Sequence, residues 1–354
     1  MSYCSQTGFN KGARHLKRFL LKTVMALAIA AVPPGVSGES PAVKQPVDTL
    51  PSIVGSFRDF WSAAKGEPFQ RQMALWDSYV EGPRKALYRS VVWESRNHPG
   101  WQQQRAGMLR PRFGSYKEIG GEIPGEAAKI QAALRSQAGR FRQLFPQMRA
   151  NPRVVIVLAP NFDAKSGVLP DGSPVLALAV DTLCLEHANL SILLPHELFH
   201  LYDAEHAGVR NDGVMPNTHL TLPLFAEGLA VYVSTVVAPG HGDGDYLLQP
   251  NLGALSNSRL PEAARDFLVD AEAMTLDPES HRVSEGFARW FMGSRTRAQA
   301  DWPNRAGYWL GLNVIRELRN KYSLQEMASW PPATAQRKVR QVLEDMAQGT
   351  QGAG

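Results

Sequence analysis

Residues 190–207 read LSILLPHELFHLYDAEHA, and the reading of the fold starts from this stretch. Apolar side chains at Ile192, Leu193, Leu194, Leu198, Phe199 and Leu201 enclose His196, Glu197 and His200, the pattern of a buried helix. Two histidines four residues apart on a helix lie one above the other on the same face, so both can reach one ion. Their neutral nitrogens suit zinc and supply two ligands of a tetrahedral site. Glu197, between them in sequence, projects near that ion without binding it. There it can take a proton from a water whose pKa the ion has lowered. Pro195 forfeits a helical hydrogen bond and crowds a preceding carbonyl. The helix is therefore expected either to kink there or to begin late, with Ser191 as its cap.

A catalytic zinc needs a third protein ligand and an open fourth position, and two residues compete for the role. Glu227 sits in the apolar run Leu224-Phe225-Ala226-Glu227-Gly228-Leu229-Ala230-Val231-Tyr232, where a lone buried carboxylate is costly unless a cation or metal pairs with it. His206 is the rival, because HELFHLYDAEH also fits a metzincin-like HExxHxxGxxH with Asp203 at the glycine position and Met215 as a downstream Met-turn. The glycine of that pattern turns the chain sharply out of the helix, which Asp does far less readily. With Asp203 in place the helix can continue and carry His206 away from the ion, so Glu227 is the preferred ligand.

Upstream of the motif, Val154 to Ala159 is β-branched and bounded by prolines, which reads as a buried strand. A turn-rich loop with Gly167, Pro170, Asp171, Gly172 and Pro174 follows, and Val175 to Val180 reads as a second strand. From Leu190 onward helices are expected over roughly 190–207, 222–236, 284–297, 305–321 and 333–347. The stretch from Ile53 to Met148 is helical in pattern, with Phe57, Phe60 and Trp61, then Met73, Leu75, Trp76 and Tyr79, at helix spacing. Arg84, Arg89, Arg96, Arg105, Arg110 and Arg112, scattered through it, read as a solvated or salt-bridged face. The fold class expected is α+β, mostly α. A helical N-terminal region over 53–150 would precede a catalytic domain over 151–347 and a disordered tail over 348–354.

The first 38 residues have the organisation of an export signal. Lys11, Arg14, His15, Lys17, Arg18 and Lys22 precede the uncharged run Thr23–Val32, which is too short to span a bilayer comfortably. Pro33, Pro34 and Gly35 break it, and Val36-Ser37-Gly38 offers small residues for cleavage. Residues 39–52, with three prolines, read as a linker. The expected location is periplasmic or secreted, with no stable membrane insertion after cleavage. Removing 1–38 takes five Lys/Arg and no Asp/Glu from totals of 38 and 33, so 38 − 5 = 33 leaves the remainder formally neutral. Nothing in that balance calls for a nucleic-acid partner. Cys184 is then the one remaining cysteine, and its setting, Leu183-Cys184-Leu185, reads as a small buried hydrophobe rather than a reactive thiol or a ligand.

HELFH followed by the EGLA-type helix resembles the gluzincin clan of metallopeptidases. The wider pattern is similar to bacterial families catalogued only as predicted zinc-dependent proteases. It comprises Phe57…Phe60-Trp61, the strand pair before the motif and Gly307-Tyr308-Trp309-Leu310-Gly311. The resemblance implies a zincin-like domain, one zinc ion on His196, His200 and Glu227, Glu197 as catalyst, and a peptide or protein as substrate. It also makes Val175 to Val180 the sheet edge that pairs with an extended peptide. Tyr308 is a candidate oxyanion donor, with core packing as the alternative. Asp203 either orients a ligand imidazole or is a surface carboxylate. His187, His219, His241 and His281 are read as non-catalytic. Two other functions share the motif: a zinc amidase acting on cell-wall peptides, and a non-catalytic periplasmic binding module with a vestigial zinc site.

Overall fold

The computed structural model describes residues 52–93, 99–148, 153–206, 218–275, 283–292 and 302–349. The export signal, the linker up to residue 51, Arg96, Met215, His281 and residues 350–354 therefore lie outside the described residues. Within them the architecture is α+β and mostly helical, with one three-stranded sheet.

The N-terminal half is built on long helices. Ile53–Ala64 and Phe69–Trp76 pack against Trp101–Ile119 through an aromatic cluster, and Ile123–Leu144 follows. Phe60 meets Trp76 at 5.4 Å between ring centres and Phe113 at the same distance. Phe57 meets Tyr116 edge-on at 5.1 Å. Three of the arginines expected on a solvated or salt-bridged face are buried, Arg105 and Arg112 in salt bridges, because the surrounding helices supply acceptors. Arg105 binds Glu81, whose Oε1 also accepts both the Trp76 and Trp93 indole N–H groups. Arg112 reaches Asp181 and Thr182. Arg84 donates to the Val80 carbonyl and the Ser56 hydroxyl. Arg89 is exposed, and Arg110 stacks on the Phe69 ring. Asp181, fully buried, also accepts from the Tyr116 hydroxyl and the Ala159 amide, which joins this half to the sheet. A buried carboxylate persists only when its lone pairs are matched in this way.

Strands β1 (Val154–Val157), β2 (Ala164–Val168) and β3 (Pro174–Ala179) lie in the order β1-β3-β2. β3 runs parallel to β1, with Val154 opposite Leu176, and antiparallel to β2, with Ala164 opposite Leu178. Two sequence expectations change here. The turn-rich loop contains a strand, β2, because its glycine and prolines cluster at and beyond its end. Leu169–Ser173 makes the hairpin turn, with Gly172 at φ 80°. Val175 to Val180 is also not an edge. β3 is the central strand, bonded on both sides, and Val175 to Ala179 are all buried. That explains its unbroken apolar run, since a strand covered on both faces has no reason to alternate. Val180 already belongs to the next helix, Val180–Glu186.

The motif helix spans Leu190–His206, with Pro195 inside it. It neither starts late nor uses Ser191 as its cap. Asn189 precedes it, its side chain accepting the Ser191 amide. Pro195 is tolerated near the start, where one lost bond leaves only the Ser191 carbonyl without its helical donor. The following helix, Thr221–Val237, is tied to it by the Ser234 hydroxyl, which donates to the Ile192 carbonyl at 3.0 Å. Ala306–Arg319 crosses Thr221–Val237 at a glycine pair. A Cβ on Gly228 would fall 2.4 Å from the Gly311 carbonyl, so only two glycines allow the backbones this close. Pro332–Ala347 appears where a helix was expected, Glu285–Phe291 ends short of the expected 297 because Met292 turns extended, and Leu260–Asp270 is a further helix that the sequence reading did not mark. Gln348 and Gly349 close the last helix with a turn, and the rest of the expected tail lies outside the described residues. Among the described residues, no helix is long and apolar enough to cross a membrane.

Candidate metal centre

One turn of the motif helix brings the His196 and His200 rings together with Nε2 atoms 3.0 Å apart. Glu227, arriving from the neighbouring helix, places Oε2 3.2 Å from Nε2 of His196 and 3.4 Å from Nε2 of His200. All three side chains are buried, and they form a group able to hold a metal ion. Metal–ligand bonds of about 2.0–2.1 Å at the tetrahedral angle put ligand atoms about 3.3 Å apart, which is the spacing found. The group also makes poor sense without a cation. Two imidazole nitrogens face each other, and Glu227 Oε2 and His196 Nδ1 are buried without a hydrogen-bond partner. Such orphaned atoms are rare in a packed interior unless an ion or ligand completes them. Two imidazoles and one carboxylate, as donors, fit zinc.

The electrostatics of the bare site are those of an acid–base cluster out of water. Burial lowers the His196 pKa, against the pull of Glu227. Burial also opposes protonation of His200, but Glu227 beside it and Glu197 nearby overcome this and raise its pKa to about 9. The Glu227 carboxyl is held well below the usual range because His200 and His196 outweigh its burial. Glu197 is pushed up to about 8, chiefly by burial, with the negative charges of Asp163 and Glu227 adding to the effect. A divalent cation would draw every one of these groups toward its deprotonated form.

Glu197 is buried beside the group but is not one of its three members, and its Oε2 has no hydrogen-bond partner. Tyr308 reaches the site from the Ala306–Arg319 helix. Its ring stacks on that of His196, 6.3 Å between centres and 17° between planes. Burial keeps its phenol protonated, with Arg305 working against this. Tyr308 therefore both packs in the core and borders the metal group.

His206 does not converge on the site. The helix runs on through Asp203, and the His206 ring stacks on Tyr202 with Nδ1 2.9 Å from the Tyr202 carbonyl. Asp203 is half-buried, and its charge supports protonation of His200. His187 caps the Val180–Glu186 helix, His219 leans on the Glu272 carbonyl and His241 packs against Tyr246. Cys184 is buried with its thiol toward Glu122.

Compared with known proteins, the chain matches no family model, no curated protein and no solved structure.

Two residues that the sequence reading passed over border the group. Asp163, just before β2, contributes its charge to Glu197 and Arg305. Arg305 lies at the start of the Tyr308 helix with φ 64°, its guanidinium 3.9 Å from the centre of the Tyr308 ring. Neither has a motif around it, and a left-handed arginine leaves no signature in sequence.

Proposed function

We propose that this chain is a zinc-dependent metallopeptidase, a hydrolase of peptide bonds with a gluzincin-type centre in a zincin-like domain. One observation carries the reading: two histidines and a glutamate meet at tetrahedral spacing while a second glutamate stands beside them uncommitted. His196, His200 and Glu227 would hold the ion. Zinc bound there supplies a Lewis acid that polarises a carbonyl and acidifies a water. Glu197 accepts the proton of that water and delivers it to the leaving amine, the role for which a buried, unpaired carboxylate is suited. A structural zinc site has no use for such a group, which weighs against a non-catalytic binding module. Tyr308 donates its hydroxyl to the oxyanion of the substrate.

Metal analysis of the purified protein, paired with cleavage of an unbiased peptide library that includes cell-wall peptides, tests this. About one zinc per chain and cleavage of ordinary peptides are expected. Cleavage confined to cell-wall peptides moves the reading to an amidase, and zinc-free protein without hydrolysis overturns it. The export signal read over 1–38 predicts a mature N-terminus near Glu39. Intact-mass measurement of exported protein would expose retention of Met1 through Gly38.

A further inference from the structure

Arg305 is the least expected group at the centre. It is a non-glycine residue in the left-handed region, φ 64° and ψ 25°, on the residue that starts the Ala306–Arg319 helix. That conformation costs a branched or long side chain roughly 1 kcal/mol or more, and such strain collects where a side chain must be aimed. The aim is toward Tyr308, three residues on. The Arg305 carbonyl accepts the Tyr308 amide at 2.9 Å, fixing the two residues on one turn. The guanidinium then lies 3.9 Å over the Tyr308 ring. The Tyr308 ring is in turn stacked on His196, a ligand of the candidate centre.

Arg305 is half-buried and feels the charges of Glu227 and Asp163. Its close partner is nevertheless the tyrosine, although an arginine near acidic groups ordinarily takes a carboxylate in a two-pronged bond. The left-handed backbone and the stacking hold it on the neutral phenol instead. A cation over the face of the ring draws on its π density, which makes the phenol O–H a stronger donor.

We propose that Arg305 is a positioning residue: stacked on Tyr308, it holds the phenol ring in place at the metal centre and strengthens its hydroxyl as a donor to the substrate oxyanion. The inference rests on the hydrolase reading above. No proton is transferred in this step, since Tyr308 only donates a hydrogen bond that strengthens as the carbonyl oxygen gains negative charge. A cation placed over the donor's ring, rather than against the substrate, acts on the rate of the chemical step more than on substrate binding.

The test is a double-mutant cycle on zinc-loaded protein with Arg305→Met, Tyr308→Phe and both together, reading kcat, KM, zinc content and the Kd of a peptide phosphonate. Loss of the oxyanion donor in Tyr308→Phe should lower kcat by about 10²- to 10³-fold. Arg305→Met should lower kcat by about tenfold, the factor one desolvated cation–π contact is worth, with KM and zinc content unchanged. In the Tyr308→Phe background Arg305→Met should change kcat little, because the group it positions is gone. Phosphonate binding should weaken in both single variants, since a tetrahedral anion replaces the reacting carbonyl. A rise in KM that persists in the double variant would mean that Arg305 binds the substrate itself, and the proposal would fall. Unchanged kcat in Arg305→Met would also sink it while leaving the hydrolase reading intact. A wild-type protein that holds no zinc and cleaves nothing removes both.

Discussion

Gly228 and Gly311 set the distance between the two helices that carry Glu227 and Tyr308. A Cβ on Gly228 would lie 2.4 Å from the Gly311 carbonyl, and one on Gly311 would lie 2.6 Å from the Leu224 carbonyl. Glu227 is the residue before one glycine, and Tyr308 is three residues before the other. Backbone contact at this crossing is therefore what lets a carboxylate on one helix and a phenol on the other border the same pair of imidazoles. The apolar composition around Glu227 supplies the packing, and the glycines supply the reach.

Gly228→Ala should accordingly damage stability and site together. Overpacking at a helix crossing costs about 1–3 kcal/mol, and here the strain is relieved only by moving Glu227 or Tyr308. Thermal melting and zinc titration should both show a loss. Gly139→Ala is the matching control, in a helix where a Cβ meets nothing within 4 Å. It should be neutral or stabilising by up to about 1 kcal/mol, with zinc affinity untouched.

Glu197→Gln separates base from ligand. The amide keeps the size of the side chain and removes its capacity to accept a proton, while His196, His200 and Glu227 stay in place. Zinc content should remain near one per chain, and turnover should fall by about 10²- to 10⁴-fold. Full activity in this variant would refute the mechanism. His196→Ala and His200→Ala should instead lose the metal.

Much of this was legible in the sequence, and the reasons differ by residue. The meeting of His196 and His200 could be read because an i, i+4 pair on an apolar helix is a local pattern. Glu227 could be read because a lone carboxylate in an apolar helix demands a partner. β2 was hidden because its polar and glycine residues, Lys165, Ser166 and Gly167, resemble a loop, although the hairpin packs them against other elements. The central place of β3 depends on β2 and was lost with it. The buried arginines escaped because their partners Glu81 and Asp181 lie 24 and 69 residues away from Arg105 and Arg112. Arg305 escaped because nothing in composition reports a positive φ.

Cys184 should be inert in the native protein. Burial is the main cause that raises its thiol pKa, to about 11, and the negative charges of Glu122 and Glu126 add to it. A raised pKa means that the thiolate is scarce at pH 8 and accumulates only toward pH 11. Alkylation by iodoacetamide at pH 8 should be slow in folded protein and fast after denaturation, since the thiolate is the nucleophile. Rapid labelling of the native chain would show that the thiol opens to solvent, contrary to its packed position.

The third ligand is the sharpest division between the two readings of the motif. Glu227 Oε2 lies 3.2 and 3.4 Å from the two imidazole nitrogens, whereas His206 is stacked on Tyr202 one turn beyond them. Glu227→Ala removes one of three protein contacts to the ion and also the charge that the centre needs for near-neutrality. Zinc binding should weaken severely, by several orders of magnitude in Kd, with loss of activity following from loss of metal. His206→Ala removes only an exposed ring and one contact to the Tyr202 carbonyl, so zinc affinity should stay within a few-fold of the wild type. Competitive chelator titration measures both on one scale. The reverse ordering, with His206→Ala losing zinc and Glu227→Ala retaining it, would require the helix to break at Asp203 and would establish the metzincin-like arrangement instead.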